Sequence, residues 1–130
     1  MPELSIGQSA LLTDLTLCCN RYRLFTPGMY LCVHVPVILD DDTRFVPGLV
    51  AQFNHGRQKQ CEPKREAFVG PPNFVMDVFD PGDEGEYEVR KAAFARGGVT
   101  EYVALFDGNA IRWHWHRQNG CDFESISPDT

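Results

Sequence analysis

Asn73-Phe-Val-Met-Asp-Val-Phe-Asp80 is an apolar run with one acidic residue inside it, and Pro81-Gly82 follows it directly. Runs of β-branched and aromatic residues that end at Pro and Gly are typical of strands, so we predict a strand over residues 73–80. Residues 85–96 carry helix-forming side chains and stop at Gly97-Gly98, which predicts a helix. Residues 100–106 predict the next strand. A strand, a helix and a strand therefore follow one another here.

Upstream of this segment, residues 30–39 alternate so that one face is fully apolar, which predicts a strand. Pro36 lacks an N–H group, so we expect this strand at a sheet edge or at a bulge. A polar turn at residues 40–43 leads into a second predicted strand over residues 44–53. The two strands predict a β-hairpin.

The remaining segments complete the predicted architecture. Residues 9–19 have apolar positions at helical spacing and predict a short helix with Ser9 as its N-cap. Residues 55–72 predict a loop, and residues 107–109 predict a hairpin turn into a strand over residues 110–116. This order of elements indicates the α/β class, with helices packed on a mixed β-sheet.

The composition limits the class of protein. The chain has 130 residues, of which 12 are basic and 18 acidic, giving a formal net charge of −6. Its length suits one domain, residues 1–130, with flexible ends at about residues 1–8 and 124–130. The acidic balance excludes a polycationic nucleic-acid coat but leaves a local basic groove open. No apolar run approaches the roughly 20 residues that span a bilayer, so we expect no membrane partner.

The cysteines indicate the compartment. The chain has five of them, an odd number without a CxxC pair. Residues 1–17 lack the basic start, apolar middle and cleavage site of a secretory signal. We therefore expect reduced thiols in a cytoplasmic protein. A zinc site formed by Cys61, Cys121 and a histidine is an alternative that the spacing does not favour.

Three motifs occur in order between residues 70 and 106. Gly70-Pro-Pro-Asn-Phe-Val-Met-Asp-Val-Phe-Asp-Pro81 is followed by Arg90-Lys91-Ala-Ala-Phe94 and then by Gly98-Val99-Thr-Glu101-Tyr102. In order and spacing they resemble the bacterial Uma family of restriction-endonuclease-like proteins. In that family a strand ending in an acid and Ser-Pro precedes a helix with a lysine and an aromatic residue, and Gly-Val-x-Glu-Tyr-Trp opens the next strand. Upstream, Thr43-Arg-Phe-Val-Pro47 resembles the approach to the family's Pro-Asp step.

The resemblance implies a PD-(D/E)XK nuclease fold, a restriction-endonuclease-like mixed β-sheet with flanking helices, and Mg²⁺-dependent cleavage of DNA. In such a site two carboxylates on neighbouring strands share a hard divalent cation that keeps several waters. The metal lowers the pKa of a bound water and offsets the charge of the scissile phosphate, while a lysine orients or helps to deprotonate the attacking water.

Carried over residue by residue, the family's second carboxylate falls on Asp77, as metal ligand and catalytic residue. The first carboxylate falls on Gly48, which offers no ligand. The lysine falls on Arg90 or on Lys91, depending on the direction of counting, and both remain candidate catalytic residues. Arginine binds phosphate but does not act as a base. We therefore expect an endonuclease-like protein with an impaired active site.

Two more positions depart from the family's pattern, since Asp80 replaces its serine and Val103 its tryptophan. Asp83 and Glu86 follow Asp77 closely enough that either could reach a metal held there. Acidic residues at a helix N-terminus are also stabilised by the helix dipole, which is their structural interpretation.

The predicted loop at residues 55–72 carries four basic residues, and the nuclease interpretation makes them contacts to the DNA backbone. They are Arg57, Lys59, Lys64 and Arg65. As a solvated surface loop, the same segment would have no DNA role.

The last predicted strand contains Arg112-Trp-His-Trp-His-Arg117. Period two places His114 and His116 on one face and the two tryptophans on the other. The histidines, with Arg112 and Arg117, predict either a partly exposed basic face, a phosphate-binding stripe or a zinc site. The tryptophan face and the strand edge at Pro36 suggest the alternative function, a non-catalytic homodimeric or partner-binding module on the same fold.

Overall fold

Two helices and ten strands occur in the part of the chain that the computed structural model describes, residues 5–24, 29–40, 42–53, 61–108, 110–120 and 122–126. In chain order they are α1 (Ile6–Leu24), β1 (Met29–Val33), β2 (Val37–Asp40), β3 (Thr43–Phe45), β4 (Leu49–Phe53), β5 (Glu62–Pro63), β6 (Phe68–Val69), β7 (Phe74–Phe79), α2 (Glu84–Gly97), β8 (Glu101–Phe106), β9 (Arg112–Asn119) and β10 (Asp122–Ile126).

The larger sheet has six strands in the order β1-β4-β7-β8-β9-β10. β7 and β8 pair in parallel, with Asp77 opposite Ala104, whereas the other neighbours pair antiparallel. Parallel neighbours need a crossover connection, and α2 supplies it. The predicted strand, helix and strand between residues 73 and 106 are confirmed, as is the α/β class with a mixed sheet.

The end of α2 follows the predicted glycine stop. Gly98 has φ 95°, a left-handed conformation that favours glycine, and its N–H donates to the carbonyl oxygens of Phe94 and Ala95. The N–H of Val99 also donates to Phe94. These bonds satisfy the last carbonyl groups of the helix and turn the chain into β8.

The predicted hairpin over residues 30–53 is a hairpin, but each of its strands divides between two sheets. β1 pairs with β4 in the larger sheet, while β2 pairs with β3 in a second sheet ordered β3-β2-β6-β5. The break lies between β1 and β2, where His34 has φ 54° and Pro36 cannot donate a ladder bond. Residues 30–39, predicted as one strand with one apolar face, therefore form two strands that belong to different sheets.

The smaller sheet includes two strands from the segment predicted as a loop. β5 and β6 have two residues each, and β6 pairs in parallel with β2. Two residues are too few to show an alternating pattern, so no local signal predicts these strands.

α1 begins one turn earlier than predicted. Ser5 and Gln8 form a capping box, in which the Gln8 N–H donates to Ser5 Oγ at 3.1 Å and the Ser5 N–H donates to Gln8 Oε1 at 3.0 Å. Ser9 is therefore inside the helix and not its N-cap. Gln8 also bonds Asp80, which joins the start of α1 to the end of β7.

Regular secondary structure extends into both of the end segments defined in the sequence analysis. Residues 5–8, predicted as flexible, form the cap and first turn of α1, and residues 124–126 belong to β10. β10 pairs along its whole length with β9, and Phe123 packs against the core, so this strand is fixed by tertiary contacts that local polarity does not show.

The two helices cover opposite faces of the larger sheet, and β7 alternates between them. Met76 and Val78 belong to the cluster that contains Leu12 of α1, and Val75 and Phe79 belong to the cluster that contains Phe94 of α2. Asp77 shares the period-two face of Val75 and Phe79, so its carboxylate lies under α2. No helix among the described residues combines the length and apolar character that crossing a bilayer needs.

Candidate functional site

Asp77 is completely buried at the centre of the larger sheet, and both of its carboxylate oxygens are occupied. Oδ1 accepts from the backbone N–H of Gly48 at 3.0 Å, and Oδ2 accepts from the Tyr102 hydroxyl at 2.9 Å. Nη1 of Arg90 lies 3.2 Å from each oxygen. A buried carboxylate needs such partners because desolvation of an unpaired charge is costly.

The Arg90 guanidinium makes several contacts besides its ion pair with Asp77. Besides Asp77, its Nε donates to Glu86 Oε1 at 2.8 Å and its Nη1 to the carbonyl oxygen of Val46 at 3.4 Å. Its guanidinium carbon lies 5.1 Å from the ring centre of Phe45. The helical spacing of four residues places Glu86 and Arg90 on one face of α2, directed at β7.

The electrostatics of the site are those of a sealed ion pair. Burial raises the pKa of the Asp77 carboxyl, while Arg90, the Gly48 amide and Tyr102 oppose that rise. Burial disfavours the guanidinium charge, but the Asp77 and Glu86 carboxylates outweigh it and keep the pKa of Arg90 above its ordinary value. Burial and the nearby Asp77 charge raise the pKa of Tyr102 well above 10, so its hydroxyl keeps its proton and donates.

The structure brings together three of the four positions singled out by the sequence. Gly48, Asp77 and Arg90 are in direct contact through the bonds above. Lys91 is not, because one residue along a helix turns the side chain by about 100°. Its Nζ instead pairs with Glu88 at 3.0 Å and lies 5.1 Å from the Tyr87 ring centre.

These residues do not fit a Mg²⁺ ion. The cation prefers several oxygen ligands, and the only carboxylate on β7 has both oxygens bound to the donors described above. Glu86, proposed to reach such a metal, is bound to Arg90. Within the described ranges, no group of three or more His, Cys, Asp and Glu side chains is arranged to hold a metal. The guanidinium takes the place beside Asp77 that a cation would need.

Tyr102 and the Val46 carbonyl are the parts of the site that sequence reasoning missed. Tyr102 belongs to the quoted Glu101-Tyr102 motif, and in β8 it lies two residues before Ala104, the partner of Asp77. Two residues along a strand return to the same face, so the parallel register places the hydroxyl beside the carboxylate. The parallel pairing of the two predicted strands was therefore the signal from which the contact between Tyr102 and Asp77 could have been predicted.

The basic segment can be only partly described. Lys64 and Arg65 are exposed and lie next to β5, while Arg57 and Lys59 fall outside the described residues. Of the cysteines whose side chains the structure describes, Cys32 is half-buried and Cys61 is buried, and neither takes part in a disulfide bond.

The histidines of β9 form an aromatic stack with α2. The rings of His114 and His116 are parallel within 4° with centres 6.5 Å apart, and the Tyr87 hydroxyl shares a 2.6 Å hydrogen bond with His116 Nε2. Arg117, grouped with them in the sequence, points to the opposite face, where Trp113 and Trp115 lie opposite Leu105 and Val103. The predicted stripe of four cations is therefore divided between two faces.

The stack predicts a pH dependence. Burial, with the nearby Lys91 and His114 charges, lowers the pKa of His116 to about 4, whereas an unfolded histidine titrates near 6.5. Between those values the unfolded chain binds a proton that the folded chain does not. The stability from neutral His116 is therefore present above about pH 6.5 and lost as the pH falls towards 4.

Urea unfolding of the wild type and His116→Gln at pH 7.0 and pH 4.5 measures this effect. We expect the wild type to be more stable than the variant at pH 7.0 and to lose that advantage at pH 4.5. An advantage of equal size at both pH values would contradict the assignment.

Comparison with known proteins supports the fold. No family model and no curated protein matches the sequence. The structure is similar to the crystal structure of a putative nuclease belonging to DUF820 from Anabaena variabilis ATCC 29413, with a TM-score of 0.72 and 12% sequence identity. The match covers 99% of this chain and 72% of that chain. The chain thus has a nuclease-like mixed α/β fold, and at this identity the similarity concerns the fold alone.

Proposed function

We propose that this chain is a restriction-endonuclease-like protein of the PD-(D/E)XK class, a short and degenerate relative of the Uma family whose cleavage site is impaired. The observation that carries the proposal is the Arg90 guanidinium on both oxygens of Asp77, in a site where position 48 is a glycine. Its fold is nuclease-like, which supports the class.

The chemistry of phosphodiester cleavage explains why this arrangement impairs it. A metal-activated water requires a cation with open coordination positions beside the carboxylates. Here the positive charge belongs to a guanidinium, which cannot coordinate a water molecule and lower its pKa as a metal ion does. The guanidinium also stays protonated at any pH at which the chain is folded. Arg90 is also almost fully buried, with its side chain 4% exposed, so a DNA phosphate cannot reach it without displacement of α2.

Plasmid nicking tests this proposal. We expect the wild type to leave supercoiled plasmid intact in 10 mM MgCl₂ or MnCl₂ and to give no heat of metal binding by calorimetry. The matched control is Asp77→Asn, which removes the carboxylate charge with little change in shape. Metal-dependent nicking by the wild type that disappears in Asp77→Asn would show that the site is active.

A second candidate function, a homodimeric or partner-binding module, is favoured by an apolar surface on β9. Trp113, on the face of β9 opposite α2, is 49% exposed, and Ile111, which precedes the strand, is 47% exposed. Exposed apolar patches of this kind are typical of interaction surfaces. Sedimentation should then detect a dimer that Trp113→Ser dissociates and Val89→Ser, at an exposed apolar site on α2, leaves intact. A monomeric wild type would exclude the homodimer.

We propose DNA as a partner whose phosphate backbone would contact Lys64 and Arg65, which the structure describes. Arg57 and Lys59, which lie outside the described residues, are proposed as further contacts. Such binding would be salt-dependent and independent of Mg²⁺. The cytoplasmic location stays a prediction from the sequence.

A further inference from the structure

Helix α1 has apolar side chains on two opposite sides. On the inner side, Leu12 is buried in the cluster that contains Met76 of β7. On the outer side, four exposed residues form a line that we call the α1 stripe: Ile6, Ala10, Thr13 and Leu17. Ile6 is 91% exposed and Leu17 is 63% exposed. Two large apolar side chains therefore face solvent at the two ends of this stripe.

The α1 stripe has the spacing found where two helices pack together. Its members are separated by four, three and four residues, the alternation that keeps a row of side chains on the contact side of paired helices. The Thr13 hydroxyl donates to the carbonyl oxygen of Ser9 at 2.8 Å, so its polar group is satisfied within α1. Asp14, the one charged residue among residues 6–17, lies beside the stripe and not in it.

The order of side-chain sizes along the stripe points to a second copy of this chain as the partner. Large residues, Ile6 and Leu17, lie at the two ends, and the smaller Ala10 and Thr13 lie between them. This order is the same in both directions, so the stripe is self-complementary when a second copy runs antiparallel to it. Dimers with a two-fold axis use such self-complementary surfaces, and antiparallel helices align their dipoles favourably. We propose that two copies of the chain pair through their α1 stripes in antiparallel orientation.

The charges along α1 agree with this partner. The chain has a net charge of −6, so two copies associate best through a surface on which no acidic residues face each other. Residues 6–17 contain no Lys or Arg, which helices that bind anionic lipid carry on their polar face. The stripe therefore fits a second copy better than a lipid surface.

The α1 stripe lies on the same side of the larger sheet as the exposed tryptophan of β9. A Cβ at Gly7 would lie 3.6 Å from Oδ2 of Asp107, which directly follows β8, and Leu105 near that end of β8 pairs with Trp113. Ile6 and Trp113 thus lie towards the same end of the sheet. The inference rests on the second candidate function and adds α1 to the surface of that homodimer.

Sedimentation velocity of the wild type, Leu17→Glu and Val89→Glu tests the inference. Leu17→Glu places a charge in the contact and should raise the Kd of the dimer about 100-fold. Val89→Glu makes the same change of charge at an exposed apolar site on α2 and should leave the Kd unchanged. Circular dichroism checks that both variants are folded, and Ala10→Glu takes the place of Leu17→Glu if that variant is not.

A charge-pair experiment tests the antiparallel orientation, in which position 6 of one copy faces position 17 of the other. Ile6→Glu and Leu17→Lys should each weaken the dimer, and the double variant should recover about 10-fold in affinity because opposite charges then face each other across the contact. Within one helix the two positions are eleven residues, or about 17 Å, apart, so the recovery reports contact between copies.

The outcomes separate the inference from the second candidate function. A dimer that Trp113→Ser dissociates and Leu17→Glu leaves intact would overturn the inference and support the homodimer through β9 alone. Equal weakening by Val89→Glu, or a double variant that binds no more tightly than the single variants, would also overturn the inference. A monomeric wild type would overturn both.

Discussion

Replacement of Arg90 by methionine is expected to lower the free energy of unfolding by about 4 kcal/mol, since removal of one partner of a buried ion pair leaves an uncompensated charge. Asp77 has no exposure through which water could take over the role of the guanidinium. The Gly48 amide and the Tyr102 hydroxyl remain, but neither carries a positive charge. Urea unfolding followed by circular dichroism measures the loss.

A double-mutant cycle separates the ion pair from general packing at the same place. We expect Arg90→Met combined with Asp77→Leu to recover most of the lost stability, because apolar residues of similar volume often replace a buried pair without net cost. Lys91→Met, which breaks an exposed pair with Glu88, should change stability by less than about 1 kcal/mol. Equal losses in Arg90→Met and Lys91→Met would contradict the role assigned to the buried pair.

The central strand, helix and strand could be predicted because their signals are local. The apolar run around Asp77, its stop at Pro81-Gly82 and the glycine end at Gly98 each act within a few residues. The division of residues 30–39 between two sheets could not be predicted, because it depends on which distant strand each half pairs with. β10 was missed for the same reason, since its pairing with β9 outweighs its polar composition.

The candidate site was predictable in part. Asp77 follows from the acidic residue inside the apolar run, and the count back from Phe94 gives Arg90, the residue that contacts it. Lys91 could be separated from Arg90 only by the phase of α2 against β7, which requires tertiary packing. The closure of the site likewise depends on groups distant in sequence: the Gly48 amide and the Tyr102 hydroxyl.

Introduction of the family's missing acid as Gly48→Asp is expected to destabilise the chain by about 4 kcal/mol rather than restore a metal site. A Cβ at this position would lie 3.2 Å from the backbone oxygen of Met76 and 3.5 Å from Cδ1 of Leu12 on α1. The new carboxylate would therefore start between a carbonyl oxygen and an apolar side chain. Arg90, the cation of this site, is already bound to Asp77 and Glu86.

Gly48→Ala is the matched control, because it adds the Cβ without the charge and should cost only about 1 kcal/mol. Burial raises the pKa of a carboxyl, so the folded Asp variant would bind a proton more readily than the unfolded chain. The free energy of unfolding of Gly48→Asp should thus fall furthest below that of Gly48→Ala at pH 7, and the difference should shrink as the pH falls towards 4. An Asp variant as stable as Ala at pH 7, with a heat of Mg²⁺ binding, would show that the carboxylate turns to Asp77 and that the guanidinium yields its place to a metal.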